Sequence, residues 1–343
     1  MRDLMIGTSA YPDADEELLK EAGIGWLRRS FPFPFRDRVG GELAREYVEA
    51  RELARKTHEA GFRLMGVTPL PGIATRERDE EGNLQFRKWN PRVPEWCGEL
   101  GSEQFLNTYN ETCAWLAEDL AGLVPAWQVA NELDISPFAD GMNPRQACDL
   151  IQAGATGLKE TDPSLLVGFN LTAGWGRTLY FAGYFYGGRG GPLDYVGLDG
   201  YYGTWQAGGP ESWAERIESI SAWSGAPVLV NEWGFSSAGG VMDEEERESG
   251  SSVCDLHKWE HTWGAGHNPE GQAEFVREAF KVFRRKRESI LGLFFYRWED
   301  QQECWQCGAP DCPAETAWGL VDRDGRPKPA YDAFKQGADD LGP

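Results

Sequence analysis

The chain predicts an α/β fold of the (β/α)8, or TIM, barrel class, as a single catalytic domain over residues 1–343. Three observations predict it. Strand-like apolar runs alternate with amphipathic helical runs about eight times along the chain. The strand runs are short and almost continuously apolar, as parallel strands buried on both faces must be. No low-complexity linker interrupts the alternation, so one barrel accounts for the length better than two domains.

Taken in order, the strand candidates are Leu4–Ser9, Trp26–Phe31, Arg63–Thr68, Ala126–Asn131, Leu165–Asn170, Tyr195–Asp199, Val228–Glu232 and Leu291–Trp298. Helix candidates lie between them, among them Glu42–Glu59, Glu103–Leu120, Pro144–Lys159, Glu211–Trp223 and Glu270–Arg287. In Glu42–Glu59 an apolar stripe of Leu43, Tyr47, Leu53 and Ala54 runs among charges, the pattern of a helix packed on one face. Pro327 to Tyr331 opens a last helix, with proline early, where its missing N–H costs nothing. The connections are unequal. Long loops follow the third strand (Pro69 to Gly101), the seventh (Phe235 to Asn268) and the eighth (Glu299 to Trp318), all on the face where barrel enzymes carry their active sites. They hold several tryptophans, which favours function over disorder.

Composition narrows the partners. A net charge of −21 disfavours nucleic acid and anionic membrane surfaces, both of which repel an acidic field. No stretch is long and apolar enough to span a bilayer. Met1 to Gly7 enters a strand at once, leaving no room for a secretory leader and pointing to the cytoplasm.

Two segments carry the chemistry: Trp127-Gln128-Val129-Ala130-Asn131-Glu132 and Val228-Leu229-Val230-Asn231-Glu232-Trp233-Gly234. Each is a strand-like run ending in a glutamate. A carboxylate at the end of a buried strand is costly unless it is solvated, paired or functional. Two of them on separate strands of one repeating α/β chain suggest an acid/base and nucleophile pair.

In this order and spacing the motifs resemble the retaining glycoside hydrolases of the largest (β/α)8 clan, the group containing families 5, 10 and 39, over essentially the whole chain. Asn131-Glu132 resembles the pair that ends the fourth strand there, and Asn231-Glu232-Trp233-Gly234 the seventh-strand nucleophile motif. Trp26-Leu27-Arg28 is similar to the second-strand stretch whose arginine supports the nucleophile, and Asp194 to Tyr201 to the sixth-strand segment that ends in an active-site tyrosine. Trp298 resembles the eighth-strand tryptophan under the sugar, and Gly319 to Tyr331 a common C-terminal passage.

The resemblance implies Glu132 as acid/base, Glu232 as nucleophile, Arg28 and Tyr201 as their support, Asn131 on the sugar 2-hydroxyl and Trp298 against the ring. It implies a double displacement with no cofactor for catalysis, and the function expected is hydrolysis of a β-linked, neutral oligosaccharide or glycoside. Glu132 must then stay protonated near neutral pH, which needs a raised pKa, and the anionic Glu232 nearby would raise it. Strand parity sets Asn131 and Glu132 on opposite sides of a regular strand and turns Asn231 away when Glu232 faces in. In the clan the strand end departs from the regular pleat, and the resemblance implies the same here.

Of the fifteen tryptophans, Trp233, Trp205, Trp259 and Trp263 join Trp298 at or after strand ends, while Trp26, Trp115 and Trp223 fall within elements and read as core. Among the seven cysteines, Cys113 and Cys148 sit on helix candidates as small core residues, and Cys97 has no evident partner. Cys304-x-x-Cys307 with Cys312, and Cys254-x-x-His257 in the preceding loop, have spacings that suit a structural zinc held by four of these five side chains. Disulfides are the alternative. Two competing functions remain: a sugar-binding barrel without catalysis, and a metal-dependent hydrolase. Histidine is too scarce at strand ends to favour the latter.

Overall fold

The computed structural model describes residues 3–172, 176–189 and 191–342. Eight parallel strands form the barrel: β1 (Met5–Thr8), β2 (Trp26–Ser30), β3 (Arg63–Val67), β4 (Ala126–Gln128), β5 (Leu166–Thr172), β6 (Tyr195–Gly200), β7 (Val228–Trp233) and β8 (Ile290–Phe295). Each pairs with its sequence neighbours, and β1 closes the ring on β8 from Met5↔Gly292 to Thr8↔Phe295. The (β/α)8 expectation and the (β/α)8 structure agree.

Helices cover the outside, and local chemistry starts and stops them. Asn143 caps helix Pro144–Thr161 through a reciprocal box with Gln146, and Pro144 sits where no N–H is needed. Gly225 ends helix Ser212–Ser224 in the left-handed region, at φ 67°, where a Cβ is penalised. Inside the ring, Met5, Met65, Ala126, Tyr195, Leu229 and Phe294 fill the lower layers. Two of these rings fit only because the neighbouring strand lacks a side chain. A Cβ on Gly7 would come within 2.5 Å of Phe294, and one on Gly168 within 2.5 Å of Tyr195.

The structure differs from the sequence-based expectation in several places, and β8 stops at Phe295, short of the expected Trp298. β4 stops at Gln128, three residues early, because the backbone turns left-handed at Ala130 (φ 54°) and again at Glu132 (φ 42°). The loop after β3 contains an antiparallel hairpin, Gly72–Arg78 with Leu84–Pro91, turning through Gly82. Its strands mix charged residues with apolar ones and are mostly partly buried, so they show little of the regular apolar alternation that marks a half-buried strand. Trp223 is 46% exposed and not in the core. Among the described residues, no helix is long and apolar enough to cross a membrane.

Candidate active site

The carboxyl ends of the strands bring the two glutamates together. One carboxylate oxygen each of Glu132, Glu232 and Asp199 lie within 4.8 Å of one another. Glu232, at the end of β7, is held from two sides. Arg28 Nη1 on β2 is 2.7 Å from Glu232 Oε1, both side chains about nine-tenths buried, and Tyr201 Oη donates to Glu232 Oε2. Burial alone would lower the Arg28 pKa, but the surrounding carboxylates, Glu232 first, outweigh it and the pKa ends raised. The guanidinium is thus a fixed positive charge beside the Glu232 carboxylate.

A network of amides fixes this geometry. Gln128 Oε1 accepts from Arg28 Nε at 3.0 Å and from Asn231 Nδ2 at 2.7 Å. Its Nε2 donates to Ala130 O at 2.6 Å and to Asn131 Oδ1 at 3.0 Å. Asn131 Oδ1 also accepts from Arg28 Nη2 at 2.6 Å and Asn170 Nδ2 at 3.0 Å. Three donors on one oxygen orient the Asn131 amide, so its NH2 end is the one left for a ligand.

The parity difficulty is resolved by backbone irregularity. On β4, left-handed Ala130 and Glu132 break the pleat. Such residues cost about 1–3 kcal/mol each unless their surroundings hold them, and here Thr68 Oγ1 accepts the Ala130 N–H at 2.9 Å while Asn170 Oδ1 accepts the Glu132 N–H at 2.9 Å. On β7 the register jumps, Leu198 pairing Val230 and Asp199 pairing Glu232, so Asn231 is the extra residue of a bulge. Asn231 is therefore not turned away: it reaches across the barrel to Gln128, fully buried.

Asp199 was not singled out by the sequence reading as a site residue, nor were Asn170 and Gln128. Their signal was a buried amide or acid near the carboxyl end of an apolar strand, and all three are at most 2% exposed. Asp199 Oδ2 accepts from Asn170 Nδ2 at 2.5 Å, while Oδ1 receives no N–H or O–H among the described residues. The Glu132 carboxyl group is a neighbour, one oxygen of each within 4.8 Å. Burial, then the charges of Asp199 and Glu232, hold the Glu132 carboxyl well above the usual carboxylate range. Asp199 is raised as well, by burial first, but it has Arg28 and the Asn170 amide to favour its ionised form. Of the two, Asp199 has the stronger support for a negative charge, and Glu132 the weaker.

The aromatic expectations need correction. Trp298 is 2% exposed and packs on Tyr331 of the C-terminal helix, with ring centroids 6.0 Å apart, so it lies in the core and has no face to offer a sugar. Trp233 is also core, edge-on to Phe280, Phe283 and Phe295. Just past β8, Tyr296 has its ring 5.9 Å from Tyr201, and its hydroxyl donates to Glu315 Oε2 at 2.9 Å. Trp259 is buried, and Trp205 and Trp263 are partly exposed. Across the mouth, Trp305 meets Phe138 at 6.1 Å.

The cysteines divide as the loops do. Cys254, Cys304, Cys307 and Cys312 bring their sulfurs within 4.8 Å of one another. His257 lies outside this group, its Nδ1 turned to Asp311 at 3.6 Å. Cys97, Cys113 and Cys148 are buried elsewhere.

No family model matches the chain, and no curated protein matches it in sequence. Solved structures match in shape. A GH5_18 protein from Streptomyces cattleya, in complex with GlcNAc, has a TM-score of 0.66 at 17% identity, over 99% of this chain and 80% of that one. The GH53 catalytic domain of Ignisphaera aggregans has a TM-score of 0.63 at 17% identity, over 97% of this chain and 95% of that one. A Thermobacillus composti GH10 xylanase has a TM-score of 0.62 at 18% identity, over 98% of this chain and 97% of that one. At this level of identity the likeness establishes the fold, a closed (β/α)8 barrel, over nearly the whole chain.

Proposed function

We propose that the chain is a retaining glycoside hydrolase acting on β-linked, neutral glycosides or oligosaccharides, with Glu132 as acid/base and Glu232 as nucleophile. The observation that carries this reading is the closeness of the two carboxyl groups, one oxygen of each within 4.8 Å. Retaining enzymes hold the pair about 5–5.5 Å apart, while inverting enzymes separate them by about 6.5–9.5 Å to admit a water. The glycoside hydrolases among the structural neighbours support the same class.

The proposed steps follow from the geometry. Glu232, ion-paired to Arg28, attacks the anomeric carbon as the bond to the leaving oxygen breaks. Glu132 gives its proton to that oxygen, and a glycosyl ester forms on Glu232. Glu132, now ionised, takes a proton from water, whose oxygen displaces Glu232 and regenerates both groups. Asn131, its oxygen engaged by three donors, offers its NH2 to the 2-hydroxyl. A divalent cation among the three carboxylates would sit beside the Arg28 guanidinium, 2.7 Å from Glu232, and that repulsion disfavours a metal-dependent hydrolase.

The test is a proton NMR time course of aryl β-glycoside hydrolysis with chelator present. The β anomer is expected as the first product, before mutarotation. An α anomer appearing first would overturn the retaining assignment, and no hydrolysis of any glycoside would favour a sugar-binding barrel.

Asp199 gives a second prediction. In this reading it is a positioning residue that keeps the proton on Glu132. Asp199→Asn removes one negative charge beside Glu132, so the acid ionises more easily. Because the acid works only while protonated, the alkaline limb of kcat/KM is expected to move to lower pH, with the acid limb little changed. A profile that keeps its shape and only loses height would give Asp199 a merely structural part.

A further inference from the structure

We propose that the chain carries a structural zinc ion on Cys254, Cys304, Cys307 and Cys312, and that this ion ties three loops together at the mouth of the barrel. Cys254 Sγ lies 3.7 Å from Cys312 Sγ and 4.0 Å from Cys304 Sγ, and all four sulfurs fall within 4.8 Å of one another. Four thiolates at about 2.3 Å around a tetrahedral zinc stand about 3.8 Å apart, so the spacing is that of a coordination shell. Disulfide sulfurs lie about 2.0 Å apart and come in pairs, whereas here four converge on one point.

The local backbone is shaped for it. Cys304-Trp305-Gln306-Cys307-Gly308 forms a tight turn, with Gly308 N–H donating to Cys304 O at 2.7 Å and Cys304 N–H to Ala309 O at 2.9 Å. Gly308 takes φ 75°, a conformation glycine adopts without strain. The turn sets the sulfurs of Cys304 and Cys307 on one side. Cys304 and Cys312 are fully buried and Cys254 is 4% exposed. Four protein ligands leave no open position, which makes the site structural and not catalytic. Each thiol gives its proton to solvent as its bond to the metal forms, and no electron is transferred.

The position of the site gives it a job. Cys254 belongs to the loop after β7 and the other three to the loop after β8. The hairpin after β3 docks on both: Arg76 N–H donates to Gln306 O at 3.1 Å, and Leu84 N–H to Asp255 Oδ1 at 3.0 Å. Gln306, between two of the ligands, donates from Nε2 to Glu315 Oε1 at 2.7 Å, and Glu315 in turn accepts from Tyr296, whose ring faces Tyr201. The zinc thus braces the wall of the site against which Tyr201 holds Glu232.

The test reads metal and local protection, not turnover, so it is independent of the glycosidase reading. Full-length protein purified without chelator is expected to contain about one zinc per chain by elemental analysis. A mercurial should release that zinc to a dye, and cobalt substitution should give the visible bands of a tetrahedral thiolate site. Cys304→Ser and Cys312→Ser should lower the zinc content roughly tenfold or more, while His257→Ala retains it. Chelation of the unmutated protein should raise hydrogen exchange in the hairpin, residues 72–91, and leave the barrel strands protected, which keeps the test sound if a serine variant fails to fold. Iron in place of zinc, four freely alkylated thiols with no metal, or a mass lower by two hydrogens per cysteine pair would each overturn the proposal. Retained protection in the hairpin after complete zinc removal would overturn the bracing role.

Discussion

Glu232→Gln is expected to lower kcat/KM on every glycoside by roughly 10⁴-fold or more, because it removes the atom that bonds to the sugar. Glutamine keeps an oxygen for Arg28, so the barrel should stay folded. Loss of the ion pair is partly offset by the Asp199 carboxylate, which also faces this arginine. The substitution therefore separates chemistry from folding. The companion experiment is a 2-fluoro sugar with a good leaving group, which slows release of the glycosyl ester more than its formation. Peptide mass analysis should find the sugar on Glu232. A label on Asp199 or Glu132 instead would reassign the nucleophile, and unimpaired turnover by Glu232→Gln would end the proposed mechanism.

The second large effect belongs to Glu132→Gln and depends on the substrate. General acid catalysis supplies about 10²–10⁴-fold. That loss should appear in full on glycosides with poor leaving groups, where the departing oxygen needs a proton. On dinitrophenyl glycosides the first step should be nearly spared, and breakdown of the glycosyl ester should become limiting for want of a base. The pH profile adds a sign. Burial and the charges of Asp199 and Glu232 raise the Glu132 carboxyl, so the unmutated protein should lose activity as pH rises through that elevated value. The variant should lack this limb. Equal losses on good and poor leaving groups would remove Glu132 from the acid/base role.

The same elevation has a consequence for stability. A buried carboxyl raised on folding contributes stability that is present below its unfolded pKa and lost as pH rises through its folded one. Asp134, pushed up to about 6 chiefly by burial, behaves in this direction too. Both groups thus work against folding on the alkaline side, next to the site where a protonated acid is needed.

Much of this was legible in one dimension. Alternation of apolar runs places eight strands, because a parallel strand covered on both faces can hardly be anything but apolar. β2 begins at Trp26 and β3 at Arg63, where the sequence puts them, and helix Arg45–Glu59 differs from expectation only at its start. The glutamates were visible because an acid closing an apolar strand is costly. The cysteine spacing was legible up to the choice between Cys254 and His257. The hairpin after β3 was not, since both its faces are largely polar and its pairing is set by docking on the loops after β7 and β8.

What the sequence by itself determined is the barrel, the two strand-end glutamates and the cysteine-rich pair of loops. Each is a matter of residue type at a given spacing along one segment. Only the tertiary structure decided which side chains face one another. Trp298 reads like a sugar platform and is buried on Tyr331. Asn231 should point away by parity, yet a bulge turns it to Gln128. Asp199 is two residues from the tyrosine that drew notice and becomes the partner of Glu132. The physical reason is common to all three. The direction of a side chain at a strand end depends on bulges and left-handed residues, and these are held in place by hydrogen bonds from strands far away in the chain, such as those of Thr68 and Asn170 to the end of β4.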